Sequence, residues 1–356
     1  MSSRVAERPG PSIRALGAVV AGYEKISAFS GRRRPPVRPI DRDLRVSVAE
    51  VRQRATDVVE LRLIPDAGML PAWQPGAHVD VVLRSGTLRQ YSLCGNPQRS
   101  DEYRIAVRRI AVRRIADGGG GSQKMHALRV GDRLTLRGPR NAFPFITTDR
   151  YLFVAGGIGI TPIRPMLHDA IARGADWALV YTGRARDCMP FLDELQGLDP
   201  RRVHIRPDDE YGVPSGATIL ATAPHGPNQH GAALYCCGPP PMIAAVRAEI
   251  PADHIASLHS ERFSPPPVLG GEPFELMLAA SGRLVQVGAE QSALSAIRAE
   301  IPDVAYSCQQ GFCGTCPVRV LGGEVEHRDR CLTDAQRNDS MAICVSRGVV
   351  RVTVDL

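Results

Sequence analysis

Residues 306–320 read YSCQQGFCGTCPVRV. Cys308, Cys313 and Cys316 stand in it as C-x4-C-x2-C, and a further cysteine, Cys344, follows in MAICVSR after 27 intervening residues. This is the ligand spacing of a [2Fe–2S] cluster. Three thiolates on one short loop grip one side of a two-iron cluster, and a distant fourth closes it. Gly311 and Gly314 let the loop curl so that backbone N–H groups aim at the sulfurs and tune the potential. A four-cysteine zinc site is the competing reading, but zinc favours paired C-x2-C knuckles and here the fourth cysteine stands alone. Cys331 competes for the fourth position. Cys344 is preferred because it sits just before the last strand.

The rest of the composition sets bounds. A chain of 356 residues is too long for one ordinary core, so two or three domains are expected. No apolar run approaches the roughly 18–20 residues that cross a bilayer. The opening MSSRVAERPGPSIRALG lacks a secretory core with a cleavage site, so a cytoplasmic protein is expected. Without export, nine cysteines are not a disulfide framework, and Cys94, Cys188, Cys236, Cys237 and Cys331 are scattered. Net charge is +7, of which +5 falls in residues 1–44. The near-neutral remainder argues against a nucleic-acid-binding surface.

Short strands surround the cysteine loop, at 274–280, 283–288, 316–326 and 349–356, with a helix expected over 292–300. Residues 273–356 thus resemble the β-grasp fold of plant-type ferredoxins.

Upstream, YLFVAGGIGITPIRPMLHDAIARG (151–174) reads strand, glycine turn, helix. Gly156, Gly157 and Gly159 let a pyrophosphate approach the backbone at a helix N-terminus. WALVYTGRAR (177–186) reads as a buried strand with a basic end, and AALYCCGPPPMIAAVRAEI (232–250) as strand, CGPP turn and helix. Alternating strands and helices predict a parallel sheet with its ligand at the strands' C-terminal ends. The pair GGIGITP and CGPPPM resembles the pyridine-nucleotide domain of the ferredoxin–NADP reductase superfamily. The resemblance implies that Gly157 and Gly159 meet the pyrophosphate and Thr161 the nicotinamide and flavin. It places Cys237 beside the nicotinamide, with Gly238 and Pro239 shaping the turn. Cys237 is alternatively a core thiol, as free cysteines usually are. Arg184 and Arg186 stand where that family contacts the adenosine ribose, or are solvated surface charges, and NADH and NADPH both stay open.

A nicotinamide delivers two electrons as a hydride, whereas a [2Fe–2S] cluster takes one. A flavin between them accepts the pair and returns it singly. Residues 45–147 are rich in short strands separated by Gly/Pro turns, the pattern of a small antiparallel barrel. Within them LRQYSLCGNP carries R-x-Y-S at Arg89, Tyr91 and Ser92. Arg89 and Tyr91 share a strand face, where the tyrosine can lie against a flat ring and the arginine can reach a phosphate. Ser92 can hydrogen-bond the ring's reactive edge.

The order of flavin barrel, nucleotide domain and C-terminal ferredoxin resembles the phthalate dioxygenase reductase and vanillate demethylase reductase family over 45–356. The expected chain is therefore multidomain, α+β and α/β. It comprises an antiparallel flavin-binding β-barrel (45–147), a parallel-sheet NAD(P)-binding domain (148–263), a linker (264–272) and a β-grasp ferredoxin domain (273–356). The resemblance implies an NAD(P)H-dependent oxidoreductase that carries FMN in preference to FAD and hands electrons to a separate oxygenase, typically Rieske-type. A cytochrome P450, a di-iron hydroxylase or a desaturase is the alternative acceptor. A non-catalytic iron–sulfur or zinc scaffold is the reading from another class. Thr161, Ser92 and Cys237 would align the nicotinamide over the flavin, and Phe263 in HSERFS would shield the ring. A monomer is expected.

Two features depart from the family. The pentapeptide IAVRR stands twice, at 105–109 and 110–114, before a run of four glycines. An odd insertion inverts a strand's faces unless a loop or bulge absorbs it. Residues 103–109 are expected to keep the barrel register, with Ala106, Val107 and Arg108 preferred over the second copy for flavin contact. Gly119 replaces the arginine usual before Gly-Gly-Ser, leaving Gly120, Gly121 and Ser122 to cradle a phosphate. Residues 1–44 lie outside the family core. Ile13, Leu16, Val20, Tyr23 and Ile26 predict an amphipathic helix over 12–29, packed on the protein itself in preference to a membrane surface.

Overall fold

The computed structural model describes residues 43–356 except 84–87, 110–120, 223–230, 251–254, 264–265, 303 and 307. The expected helix over 12–29, the second IAVRR copy and Gly120 lie outside the described residues.

Three sheets follow one another along the chain. Strands β1 (Leu44–Ala55), β2 (Val58–Pro65), β3 (Ala77–Val82), β4 (Leu88–Ser92), β5 (Tyr103–Arg108) and β6 (Arg133–Asn141) form an antiparallel sheet in the order β4-β3-β6-β1-β2-β5. A bridge between Leu93 and Ile105 brings its two edges together. Inward Val46, Val48, Leu61, Leu63, Val79 and Val81 fill the interior, as period-two alternation requires. The first IAVRR copy keeps an unbroken register with β2, from Leu63 opposite Tyr103 to Val58 opposite Arg108. A short helix, α1 (Gly121–His126), follows.

The second sheet is wholly parallel: β7 (Arg150–Gly156), β8 (Asp176–Gly183), β9 (Val203–Pro207), β10 (Ala232–Cys237) and β11 (Ile255–Glu261), ordered β11-β10-β7-β8-β9. Strand order reverses between β7 and β10, so the turns leaving these two strands diverge to opposite faces and open a crevice. Helix α2 (Ile160–Ala172) leaves the first turn and α3 (Pro240–Glu249) the second, with prolines in its first turn where no N–H is required.

The third sheet is mixed: β12 (Phe274–Leu278), β13 (Arg283–Val287), β14 (Pro317–Gly322), β16 (Ser340–Ala342) and β18 (Arg351–Val354), in the order β13-β12-β18-β14-β16. Strands β15 (Val325–Glu326) and β17 (Arg347–Gly348) pair beside it. Helix α4 (Ala293–Glu300), capped by the Ser292 hydroxyl accepting from Ser295 N–H at 3.1 Å, lays Leu294 and Ile297 on the sheet.

Packing joins the three sheets. Val58, Cys94 and Ala106 of the first enter the core of the second, and Leu88 enters the core of the third. The edge strand β4, which carries R-x-Y-S, is thereby placed against the ferredoxin-like part. Covering an edge in this way also removes a template for aggregation. The Pro-rich segment before β12 is pinned at its C-terminal end. Arg328 donates to the carbonyls of Leu269 (2.8 Å) and Gly270 (3.0 Å), and the buried Arg347 donates to that of Glu272 (2.8 Å).

Candidate functional site

A cavity at the junction of the three sheets is lined by Tyr91 and Ser92 of β4, Glu261 and Phe263 at the end of β11, and Cys308 to Gln310 of the cysteine loop. Tyr91 is half-buried and Phe263 is 49 % exposed, so two elements each contribute a partly exposed aromatic side chain. Two buried polar atoms here have no partner, Gln90 Nε2 and Glu261 Oε2. An unmatched donor and acceptor in the same lining as two aromatic side chains suit the heteroatom edge of a flat ring such as a flavin. Burial pushes the Glu261 carboxyl up to about 8, so it is a neutral acid at pH 7. Burial also lowers His78, opposite Ser92 in the register, to about 4.

Glu261 and His78 are absent from the motif reading. For Glu261 the signal was its position two residues before Phe263, at the C-terminal end of the last parallel strand. Cys237 lies between Ala155 and Glu261 in the sheet register. It is fully buried, and burial raises its thiol well above the ordinary range.

The crevice at the strand-order reversal holds a second cavity of about 500 Å³, lined by Gly156 and Gly157, Thr182, Arg184, Asp208 and Pro239. The two turns touch: a Cβ on Gly156 would lie 2.6 Å from Pro239 Cδ. Thr161 is buried, its hydroxyl donating to the Ile158 carbonyl at 2.9 Å. Arg184 lines the cavity, whereas Arg186 is drawn to Glu210 at 2.6 Å.

Arg108 also lies in this cavity. It is held by Asp57 (3.1 Å) and the Cys188 carbonyl, and a Cβ on Gly157 would come within 2.6 Å of its Nη1. The barrel thus delivers a guanidinium to the glycine turn of the neighbouring sheet. The structure does not bring Arg108 to the Tyr91–Phe263 cavity, nor Ala106 and Val107, which are buried in the second and first cores. Arg89 is half-buried and donates to the Leu88 carbonyl (2.9 Å), outside that cavity's lining. Gly121 and Ser122 open α1.

The cysteine loop sets Cys308 beside Cys313, and Cys316 beside Cys344, near enough for each thiol to perturb its neighbour. Gln310 N–H donates to Cys308 Sγ at 3.3 Å. The backbone amides of Phe312, Thr315 and Gly311 favour the thiolate forms of Cys308, Cys313 and Cys344 respectively. Gly311 has φ +77°, and a Cβ there would meet Val345 at 2.6 Å, so only glycine lets the loop wrap this closely. Among the described residues no three cysteine, histidine or carboxylate groups converge on a single-ion site. Two pairs of thiols, each supplied with amide donors, suit two iron atoms better than one tetrahedral zinc. Cys331 sits apart, 3.9 Å from Asp329 and hydrogen-bonded to neither pair.

Three family models match the chain in sequence: an oxidoreductase FAD-binding domain over 44–145, an oxidoreductase NAD-binding domain over 153–248, and a 2Fe-2S iron-sulfur cluster binding domain over 277–347. The vanillate O-demethylase oxidoreductase of a Pseudomonas species is 37 % identical over 85 % of this chain and 96 % of its own length. The solved structure of phthalate dioxygenase reductase matches with a TM-score of 0.63 and 30 % identity, covering 88 % of this chain and 98 % of that one. This chain belongs to the phthalate dioxygenase reductase and vanillate demethylase reductase family.

The reductase is an NAD(P)H-dependent flavin and iron–sulfur oxidoreductase, with an antiparallel flavin-binding barrel, a parallel nucleotide-binding sheet and a 2Fe-2S domain. A putative toluene-4-sulfonate monooxygenase system reductase subunit of Comamonas testosteroni is 38 % identical over 88 % of this chain and 99 % of that protein. An intact type IV self-sufficient cytochrome P450 monooxygenase matches 93 % of the reductase at 35 % identity and TM-score 0.66, and the reductase spans 44 % of that longer chain. No helix among the described residues is long and apolar enough to cross a membrane.

Proposed function

We propose that this chain is the reductase component of a multicomponent oxygenase, carrying electrons from NADH through FMN and a [2Fe–2S] cluster to a Rieske-type partner that hydroxylates or O-demethylates aromatic substrates. The observation that carries the proposal is the single cavity shared by Tyr91, Ser92, Glu261, Phe263 and Cys308. A flavin held by these residues would supply the conversion of a two-electron donor into single electrons, beside the cluster ligand Cys308.

Tyr91 and Phe263 flank the ring, and Arg89 with Gly120, Gly121 and Ser122 takes the FMN phosphate. Gly157, Gly159 and Arg108 take the dinucleotide pyrophosphate, with Gly238 and Pro239 shaping the turn. Ser92, Thr161 and Cys237 set the nicotinamide over the flavin, a positioning role that removes the entropic cost of alignment. Cys308, Cys313, Cys316 and Cys344 hold the cluster. The domain limits are placed at 45–147, 148–263 and 273–356.

NADH is favoured over NADPH because Asp208 faces the same cavity as Arg184 while Glu210 neutralises Arg186. A carboxylate accepts from ribose hydroxyls and repels a 2′-phosphate. A cytochrome P450 partner is the second reading, favoured by the match to the self-sufficient P450.

Anaerobic titration with NADH and then NADPH, with the visible spectrum recorded, tests the electron path. Bleaching of flavin and cluster by NADH is expected. Flavin-free protein, or a cluster that stays oxidised, refutes the reading. Acid release of the flavin distinguishes FMN from FAD, and reconstitution with a purified Rieske oxygenase or P450 distinguishes the partners.

A further inference from the structure

A groove of about 930 Å³ runs between α3, the segment 266–269 and the cysteine loop. It is separate from the nucleotide crevice and meets the flavin-side cavity only at its end, where Ala142, Arg262 and Gln310 line both. The two openings meet different cysteines. Cys308 lines the flavin-side cavity, and Cys344 lines the groove. Each opening therefore addresses a different cysteine of the ligand set.

The groove's charge has one sign. Arg247, Arg262, Arg328 and Arg330 line it, and no Asp or Glu does. Arg328 is partnered by Glu326. Arg247 donates to the Ser260 hydroxyl at 3.2 Å, and among the described residues neither Arg247 nor Arg330 pairs with a carboxylate. Phe312, at the tip of the cysteine loop, is 39 % exposed and forms part of the groove's apolar lining. Exposed apolar surface rimmed by unpaired cations is the make-up of a protein-docking site that selects an acidic partner. Residues 1–44 of this chain, at net +5, have the wrong charge for it.

We propose that this groove is the docking site of the electron acceptor, that the acceptor presents an acidic protrusion to it, and that electrons enter the cluster on the Cys308 side and leave on the Cys344 side. The proposal rests on the reductase reading. One NADH and two oxidised one-electron acceptors give NAD⁺, one proton and two reduced acceptors. Entry and exit through different cysteines let the acceptor bind away from Tyr91, Ser92 and Phe263, which line only the flavin-side cavity.

The test uses the full-length holoprotein and cytochrome b5, an acidic one-electron haem protein, as the acceptor probe. Arg247→Glu and Arg330→Glu reverse the groove's unpaired charges. Arg201→Glu, at a position 87 % exposed on the β8–β9 connection, controls for net charge. Cys344→Ser sets the cluster-independent background. Above that background, each groove variant is expected to lower kcat/KM for cytochrome b5 by about 10-fold at low ionic strength, with the deficit shrinking as salt screens it. Arg201→Glu is expected to match wild type. Reduction of the cluster by NADH alone is expected to be unchanged in the groove variants, which also reports that they fold.

Wild-type kcat/KM in both groove variants overturns the proposal. So does an equal loss in Arg201→Glu, or a wild-type protein whose cluster is reduced but passes nothing to cytochrome b5 above background. A wild-type cluster that NADH fails to reduce is a failure of the reductase reading instead.

Discussion

Replacing Glu261 with glutamine should flatten the pH dependence of this protein's stability. The side chain ends β11, is buried, and has one carboxyl oxygen without a partner. In the unfolded chain the carboxyl ionises near 4.5, whereas burial in the fold holds it neutral up to about 8. Between those values the unfolded state has released a proton that the folded state keeps. Stability therefore falls as pH rises from 4.5 and levels off above 8. At about 1.36 kcal/mol per unit the gap corresponds to about 5 kcal/mol, of which about 3 kcal/mol is lost between pH 5.5 and 9. Glutamine keeps the shape and does not titrate, so E261Q should lose about 3 kcal/mol less than wild type over that interval. Urea denaturation at several pH values, followed by tryptophan fluorescence, measures it. Trp177 reports the parallel sheet and Trp73 the barrel, and these are the chain's two tryptophans. The difference should appear in the transition that Trp177 reports. Parallel stability–pH curves for wild type and E261Q would refute the reasoning, because they would mean that the carboxyl ionises in the fold as it does in water.

Three further outcomes are expected. Gly159→Ala would put a methyl group 2.5 Å from the Cys237 carbonyl carbon, backbone against backbone where neither turn can yield. NADH affinity should fall by at least about 10-fold while the flavin and cluster spectra persist, and unchanged affinity in a fluorescence titration would contradict this. Cys344→Ser should abolish the cluster's visible absorbance yet leave NADH-driven reduction of ferricyanide, whereas Cys331→Ser should retain both. A cluster that survives C344S and is lost in C331S would reverse the ligand assignment. Asp208→Asn should raise kcat/KM for NADPH relative to NADH by about 10-fold, since it removes a carboxylate from the cavity that would hold a 2′-phosphate. An unchanged ratio would place the adenosine ribose elsewhere.

The spacing of Cys308, Cys313, Cys316 and Cys344, the two glycine turns and R-x-Y-S determined the three folds and their order from sequence alone. Each motif is local: a loop that wraps a cluster, or a turn that meets a phosphate, needs particular residues within a few positions, and chain order preserves them. Contacts made between the folds were not legible in this way. Arg108 belongs to a barrel strand by sequence, yet its guanidinium lies at the glycine turn of the neighbouring sheet. Glu261 reads as an ordinary charged strand end until packing strips it of water. The grip of Arg328 and Arg347 on the segment before β12 depends on carbonyls more than 50 residues away in the chain. Only the tertiary structure decided these, because burial and charge pairing depend on what lies across an interface, and no local pattern records which surface that will be.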